Sequence, residues 1–175
     1  NDGTATFSSE LVLFGAGSYI DRANDIVADD FDGDGWVDVA GSVYGGSIAG
    51  MIVVGNDGAG GFLPARRAPS VQNSFAIAAA DADDDGDTDV VVVDRLAAFV
   101  AVHYNRGGLD LFVPPAFTVA PADRVSLGDV DGDGDLDAAT SITGGNFIGG
   151  GVTIVANQGD GTFVAADTLL GRIVD

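Results

Sequence analysis

Short runs of small and β-branched residues, broken by Asp- and Gly-rich stretches, set the pattern of this chain. SFAIAAAD (74–81) and DVVVVD (89–94) flank one acidic stretch, and RVSLGD (124–129) and LDAATSI (136–142) flank another. Runs of this length and composition predict β-strands joined by hairpin loops. A second turn signal recurs: NDGTATF from Asn1, NDGAGGF from Asn56, NRGGLDLF from Asn105 and NQGDGTF from Asn157. Each is an Asn-Gly-type turn running into an aromatic strand start. The two signals alternate, so the unit reads strand, acidic loop, strand, Gly-rich connection, strand, Asn-Gly turn, strand. The longest apolar run, Leu96 to Val102, is far short of the ~20 residues that span a bilayer, so no membrane insertion is expected.

The acidic stretches are three copies of D-x-D-x-D-G-x-x-D, at Asp30–Asp38, Asp81–Asp89 and Asp129–Asp137. Carboxylates at positions 1, 3, 5 and 9, a sharp Gly turn at position 6 and a backbone carbonyl at position 7 present hard oxygen ligands to one point, which suits Ca²⁺. The expected ligands are Asp30, Asp32, Asp34, Trp36 (carbonyl) and Asp38; Asp81, Asp83, Asp85, Asp87 (carbonyl) and Asp89; and Asp129, Asp131, Asp133, Asp135 (carbonyl) and Asp137. An EF-hand would need Glu at position 12 and flanking helices. Position 12 is Gly41, Val92 or Thr140, and the flanks read as strand. Thrombospondin-type repeats share the spacing but depend on disulfides, and this chain has no Cys. In the second copy Asp84 stands where the others have Gly33 and Gly132, a position that Asp tolerates in a left-handed turn.

The loop starts lie 51 and 48 residues apart and the Asn turns 55, 49 and 52 apart, a supersecondary-unit period. Four antiparallel strands in about 50 residues make one propeller blade. With these motifs in place, the repeats resemble the FG-GAP/VCBS repeats of calcium-binding β-propellers, found in integrin α-chain heads, fungal propeller lectins and many secreted bacterial proteins. The resemblance covers nearly the whole chain. The reading is all-β, a single array over 1–175, with blades at about 20–70, 71–120 and 121–170 and a partial blade at 1–19 carrying the outer strand TATFSSELVLF. Propellers close with about four to eight blades. Closure is therefore expected through a homo-oligomer, for instance a dimer pairing open edges, or through a further part of the chain.

Composition narrows the partners. The formal charge is −20, and 15 of the 27 acidic residues sit in the three loops, so three Ca²⁺ would bring it to −14. That residual charge, with no Lys and seven Arg, disfavours nucleic acid and anionic membrane. Calcium loops of this kind fill where Ca²⁺ is plentiful, which points to a secreted or cell-surface location, extracellular or periplasmic.

Single residues add less. His103 is the only His and lies on an expected strand without a recognisable nucleophile, so it reads as packed or solvated and not as a catalytic base. Glu10, Asp94, Asp110 and Asp123 are isolated carboxylates that the sequence cannot pair, and no catalytic residue is assigned. Trp36, Tyr19, Tyr44 and Tyr104 offer aromatic faces for sugars or for inter-blade packing. The Gly-rich runs lack the Lys-Ser/Thr sequel of a phosphate cradle. The resemblance implies a binding module for carbohydrate or an extracellular protein, with specificity in the connections Tyr44–Gly50 and Gly144–Gly151 and in an Arg66-Arg67 turn. A calcium-hardened scaffold or self-assembling fragment is the alternative. A polysaccharide-modifying lyase-type propeller is the second, set back by one His and no Lys.

Overall fold

In the computed structural model, the residues described are 22–44, 50–68, 74–109, 111–112, 117–118, 122–142 and 151–170. They form strands and turns with no helix, so among them nothing helical is long and apolar enough to cross a membrane. The expected partial blade at 1–19 and most of both Gly-rich connections lie outside them.

The strands fall into three antiparallel sheets. The first runs β1 (Arg22–Asp29), β2 (Asp38–Tyr44), β3 (Gly50–Val54), β4 (Arg66–Arg67). The second runs β5 (Ser74–Ala80), β6 (Asp89–Asp94), β7 (Phe99–Asn105), with β8 (Leu111–Phe112) and β9 (Phe117–Thr118) sharing the fourth place along β7. The third runs β10 (Arg124–Gly128), β11 (Asp137–Ile142), β12 (Gly151–Asn157), β13 (Phe163–Leu170). Each sheet is a four-stranded meander of the kind the sequence predicts, consistent with propeller-like blades. Arg66-Arg67 proves to be a short strand paired with Val53 and Ile52, not a turn. Its two side chains are exposed at the sheet edge, where charge discourages further pairing.

Each fourth strand carries one extra residue relative to the third. Asn56 faces Phe62 while Val53 faces Arg66; Asn105 faces Leu111 while Val100 faces Phe117; Asn157 faces Phe163 while Ile154 faces Asp167. A one-residue bulge of this kind bends and twists the strand.

The cores lie between sheets. Side chains alternate across a strand, so the four consecutive valines of β6 divide evenly. Val90 and Val92 face the first sheet, meeting Phe31, Ala40, Met51 and Val53; Val91 and Val93 face the third, meeting Ala138, Val155 and Phe163. All four valines are fully buried. A strand covered on both faces has to be apolar at every position, which explains DVVVVD. At roughly 1.5–3 kcal/mol per buried aliphatic side chain, these four contribute a gross hydrophobic term on the order of 10 kcal/mol. The first strands lie side by side, with β5 packed against β1 and β10. Asn24 Nδ2 donates to the Ser74 carbonyl and Ile77 N–H to Asp25 Oδ2 across the first junction.

Candidate metal centre

All three acidic loops connect the first and second strands of their sheets, and each is organised by its first Asp. Asp30 accepts from the N–H groups of Gly33, Asp34 and Gly35 at 2.9, 3.1 and 2.8 Å. Asp129 accepts from Gly132 and Gly134 at 2.7 and 3.2 Å, and Asp81 from Asp85 and Gly86 at 3.2 and 3.0 Å. Wrapping successive N–H groups around one carboxylate needs left-handed backbone at positions 4 and 6. Gly33 and Gly35 have φ of 73° and 89°, and Asp84 takes φ 58° at position 4 of the second loop. That is the conformation the sequence required of Asp84, one that Asp adopts more readily than most residues.

The ninth position anchors each loop from beneath. Asp38, Asp89 and Asp137 are fully buried. One oxygen of each accepts from the N–H at position 2 (Phe31, Ala82, Val130) at 3.0, 2.8 and 2.9 Å. The other accepts from the N–H of the Asn that opens the Asn-Gly turn (Asn56, Asn105, Asn157) at 2.7, 2.7 and 2.9 Å. The ninth carboxylate thus ties the acidic loop to the turn between the third and fourth strands, and keeps lone pairs for a cation.

Carboxylate oxygens converge above this anchor. Those of Asp30, Asp32 and Asp38 lie within 4.8 Å of one another, as do those of Asp81, Asp83 and Asp85, and those of Asp129, Asp131 and Asp137. Asp34, Asp89 and Asp133 belong to the same loops but lie outside these tightest groups. No Lys or Arg occurs within any loop. The electrostatic consequence is visible in the carboxyls: Asp32, Asp83 and Asp131 are held above the usual carboxylate range by desolvation and by neighbouring aspartates. Burial, reinforced by Asp83 and Asp85, pushes Asp89 up to about 6 against the N–H bonds from Asn105 and Ala82. Asp83 Oδ1 is buried with no hydrogen-bond partner. A buried anion without a partner is costly, and a cation at this point supplies one. The donor set is all oxygen, which fits a hard divalent ion.

At position 7 the side chains turn away from this cluster and lie over the glycine of the Asn-Gly turn: Trp36 over Gly58, Asp87 near Gly107 and Asp135 over Gly159. Any contribution there comes from the carbonyl. Trp36 is 53% exposed beside exposed Val37. Tyr44 is half-buried, and half-buried Tyr104 donates its hydroxyl to the Gly161 carbonyl of the third sheet. His103 is fully buried with neither nitrogen hydrogen-bonded, and burial pushes its pKa down to about 4. Neutral at ordinary pH and partnerless, it is a packing residue. Asp94 is buried and caps the turn after β6, accepting from Leu96 and Ala97 N–H at 2.9 and 2.8 Å. Asp123 is buried next to β10. Glu10, Tyr19 and Asp110 lie outside the described residues.

Sequence reasoning saw the Asn residues only as turn formers and missed their larger role. Asn105 Nδ2 donates to Thr88 O in its own sheet at 3.1 Å and to Phe31 O in the first sheet at 2.5 Å. Asn157 Nδ2 donates to Leu136 O at 3.4 Å and to Ala82 O of the second sheet at 2.7 Å. The side-chain oxygens accept from Gly107 and Gly159. Each staples its turn to the acidic loop of the preceding sheet. The regular recurrence of Asn opposite the acidic loops was the available signal.

Among known families, the model of the FG-GAP-like repeat matches residues 30–92, from the first acidic loop through the second. No curated protein matches the chain.

Proposed function

We propose that this chain, which carries an FG-GAP-like repeat over residues 30–92 and is built as three propeller-like sheets, is a calcium-stabilised, non-enzymatic binding module of the extracellular space. The observation that carries the reading is the convergence of three carboxylates in each of three loops, one with a buried oxygen lacking any partner. Ca²⁺ would be held by side chains at positions 1, 3, 5 and 9 and by the carbonyls of Trp36, Asp87 and Asp135. Bound there, it neutralises the clustered charge and fixes the loops against the sheets. At a hundred times its dissociation constant each ion stabilises the native state by roughly 2.7 kcal/mol. FG-GAP-type repeats occur in extracellular proteins, where calcium is abundant enough to fill such loops.

Carbohydrate or an extracellular protein is the proposed ligand. Trp36 and Val37 place an exposed aromatic and aliphatic surface at the loop end of the first sheet, the amphipathic chemistry that stacks against sugar rings or protein side chains. His103 is fully buried with neither nitrogen hydrogen-bonded, and a pKa pushed down to about 4 makes it a weak base. Two measurements test the reading. Calorimetric titration of metal-free protein should find three calcium sites, with a large fall in melting temperature on chelation; an unchanged melt refutes the calcium assignment. A glycan array and an extracellular-protein array, each probed with and without chelator, should show calcium-dependent binding. Silence on both removes the binding assignment and leaves a scaffold.

A further inference from the structure

We infer that the three acidic loops fill with Ca²⁺ cooperatively, coupled through the side-chain amides of Asn105 and Asn157. The coupling rests on the calcium reading proposed above and adds communication between sites, which no single loop requires. Each of these Asn residues divides its two amide hydrogens between two different loops. Asn105 Nδ2 donates to Phe31 O, at position 2 of the first loop, and to Thr88 O, at position 8 of the second, at 2.5 and 3.1 Å. Asn157 Nδ2 donates to Ala82 O, at position 2 of the second loop, and to Leu136 O, at position 8 of the third, at 2.7 and 3.4 Å. Neither amide is free to turn away, because its oxygen accepts from the N–H of Gly107 or Gly159 at 3.0 or 3.2 Å. Both side chains are buried, at 1% and 2% exposure.

The carbonyls held in this way lie beside the expected ligands. Phe31 stands between Asp30 and Asp32, and Ala82 between Asp81 and Asp83; Thr88 and Leu136 immediately precede Asp89 and Asp137. The same residues carry the anchors beneath the loops. The N–H groups of Phe31 and Ala82 donate to Asp38 and Asp89, and those of Asn105 and Asn157 donate to Asp89 and Asp137. A hydrogen-bonded series therefore runs from Asp38 through Phe31 and Asn105 to Asp89, and on through Ala82 and Asn157 to Asp137. Thr88 adds a second link, its hydroxyl donating at 3.4 Å to Asp29, the residue before the first loop.

Gathering carboxylates at one point is opposed by their mutual repulsion. A metal-free loop therefore has a more open alternative, and a cation selects the gathered state. Each Asn amide is fully bonded only when the loops on both sides of it are gathered; opening either one leaves a buried amide hydrogen or carbonyl without its partner, which is costly. Filling one loop thus favours the gathered state of its neighbour, and by linkage the effect is reciprocal. The second loop is the hub, bridged to the first by Asn105 and to the third by Asn157. Charge alone predicts the opposite sign, because a cation in one loop weakens the field that draws a cation to the next. Positive coupling is therefore the signature of the amide bridges.

The test is a calcium titration of metal-free protein followed by two-dimensional amide NMR, with the signals of Gly35, Gly86 and Gly134 reporting the three loops separately. The comparison protein carries Asp83→Asn and Asp85→Asn, which together leave the second loop empty over the titration. The two charges removed equal those that one Ca²⁺ neutralises, so the net charge of the empty loop matches that of the filled wild-type loop. With the second loop empty, the first and third should fill at calcium concentrations at least about fivefold higher than in the wild type. Adding Asn105→Ala should make the first loop indifferent to the state of the second while the third still responds, and Asn157→Ala should do the reverse. A general loss of stability would weaken both outer loops and cannot produce that crossed pattern. The wild type and the emptied-loop protein decide the coupling by themselves, and the alanine variants assign it to the amides. Unchanged filling of the outer loops when the second is empty overturns the coupling, as does a response that survives both alanine substitutions. Three loops that fill independently would overturn the coupling and leave the calcium reading standing; no calcium-dependent shift in any loop would remove both.

Discussion

Replacing Asn105 with alanine removes three hydrogen bonds at once, and the structure says what each loss costs. The side chain is 1% exposed. It donates to Phe31 O at 2.5 Å and Thr88 O at 3.1 Å, and accepts from Gly107 N–H at 3.0 Å. A net hydrogen bond is worth about 1 kcal/mol, while a buried acceptor left without a partner costs roughly 1–3 kcal/mol. The Phe31 carbonyl, shut between two sheets, is such an acceptor, so Asn105→Ala should cost about 2–4 kcal/mol. Asn56→Ala supplies the internal reference. It loses the bonds to Val37 O and from Gly58 N–H in a half-buried setting and severs nothing between sheets of one copy, so about 1–2 kcal/mol is expected. Urea unfolding of both variants, calcium-saturated and dilute enough to be monomeric, should show the midpoint falling further for Asn105→Ala, with the slope unchanged. Equal costs for the two variants, or less than about 1 kcal/mol for Asn105→Ala, would refute the idea that the staple joins the sheets.

Other expectations follow from the same geometry. Asp83→Asn removes a negative charge from the crowded second loop, so by thermal melting it should raise the stability of chelated protein and lower that of calcium-loaded protein; the same sign in both conditions contradicts the cation assignment. His103 is buried with a pKa near 4, against an unfolded value of about 6.5. Its contribution is therefore fully present above pH 6.5 and lost as pH falls toward 4, by at most about 3 kcal/mol. His103→Val, which installs the residue found at the equivalent positions Val54 and Val155, should flatten that part of the stability–pH curve; curves that stay parallel between pH 6.5 and 4 would show that the imidazole is not buried neutral. Gly55→Ala should destabilise by about 1–3 kcal/mol through overpacking against Leu109. Adding Leu109→Gly should recover part of that loss, and strict additivity in a double-mutant cycle would exclude the Gly55–Leu109 contact.

The repeat was legible at the level of its parts because its parts are local. An acidic loop is nine residues whose carboxylates and glycines fold back on the first Asp, and the run around Gly33, Gly35 and Asp84 fixes its own left-handed turns. The strand runs carry their own β-branched chemistry, as in DVVVVD, and so does the Asn-Gly turn. Arg66-Arg67 was misread because two exposed charges carry no strand signal; only pairing with Ile52 and Val53 makes them one.

What the sequence alone determined was therefore the unit: four strands, one oxygen-lined loop, one Asn turn, repeated at about 50-residue spacing. Tertiary structure decided how the units meet. Whether Asn105 merely shapes a turn or holds two sheets together depends on Phe31, 74 positions away. The single His became a neutral packing residue because its strand faces the apolar junction between the first and second sheets. The pairing of Gly55 with Leu109 and of Tyr104 with Gly161 is a match of sizes across a junction. Contacts of this kind depend on which surfaces are brought together, and that is settled by burying apolar faces between sheets, a choice no short stretch of the chain encodes by itself.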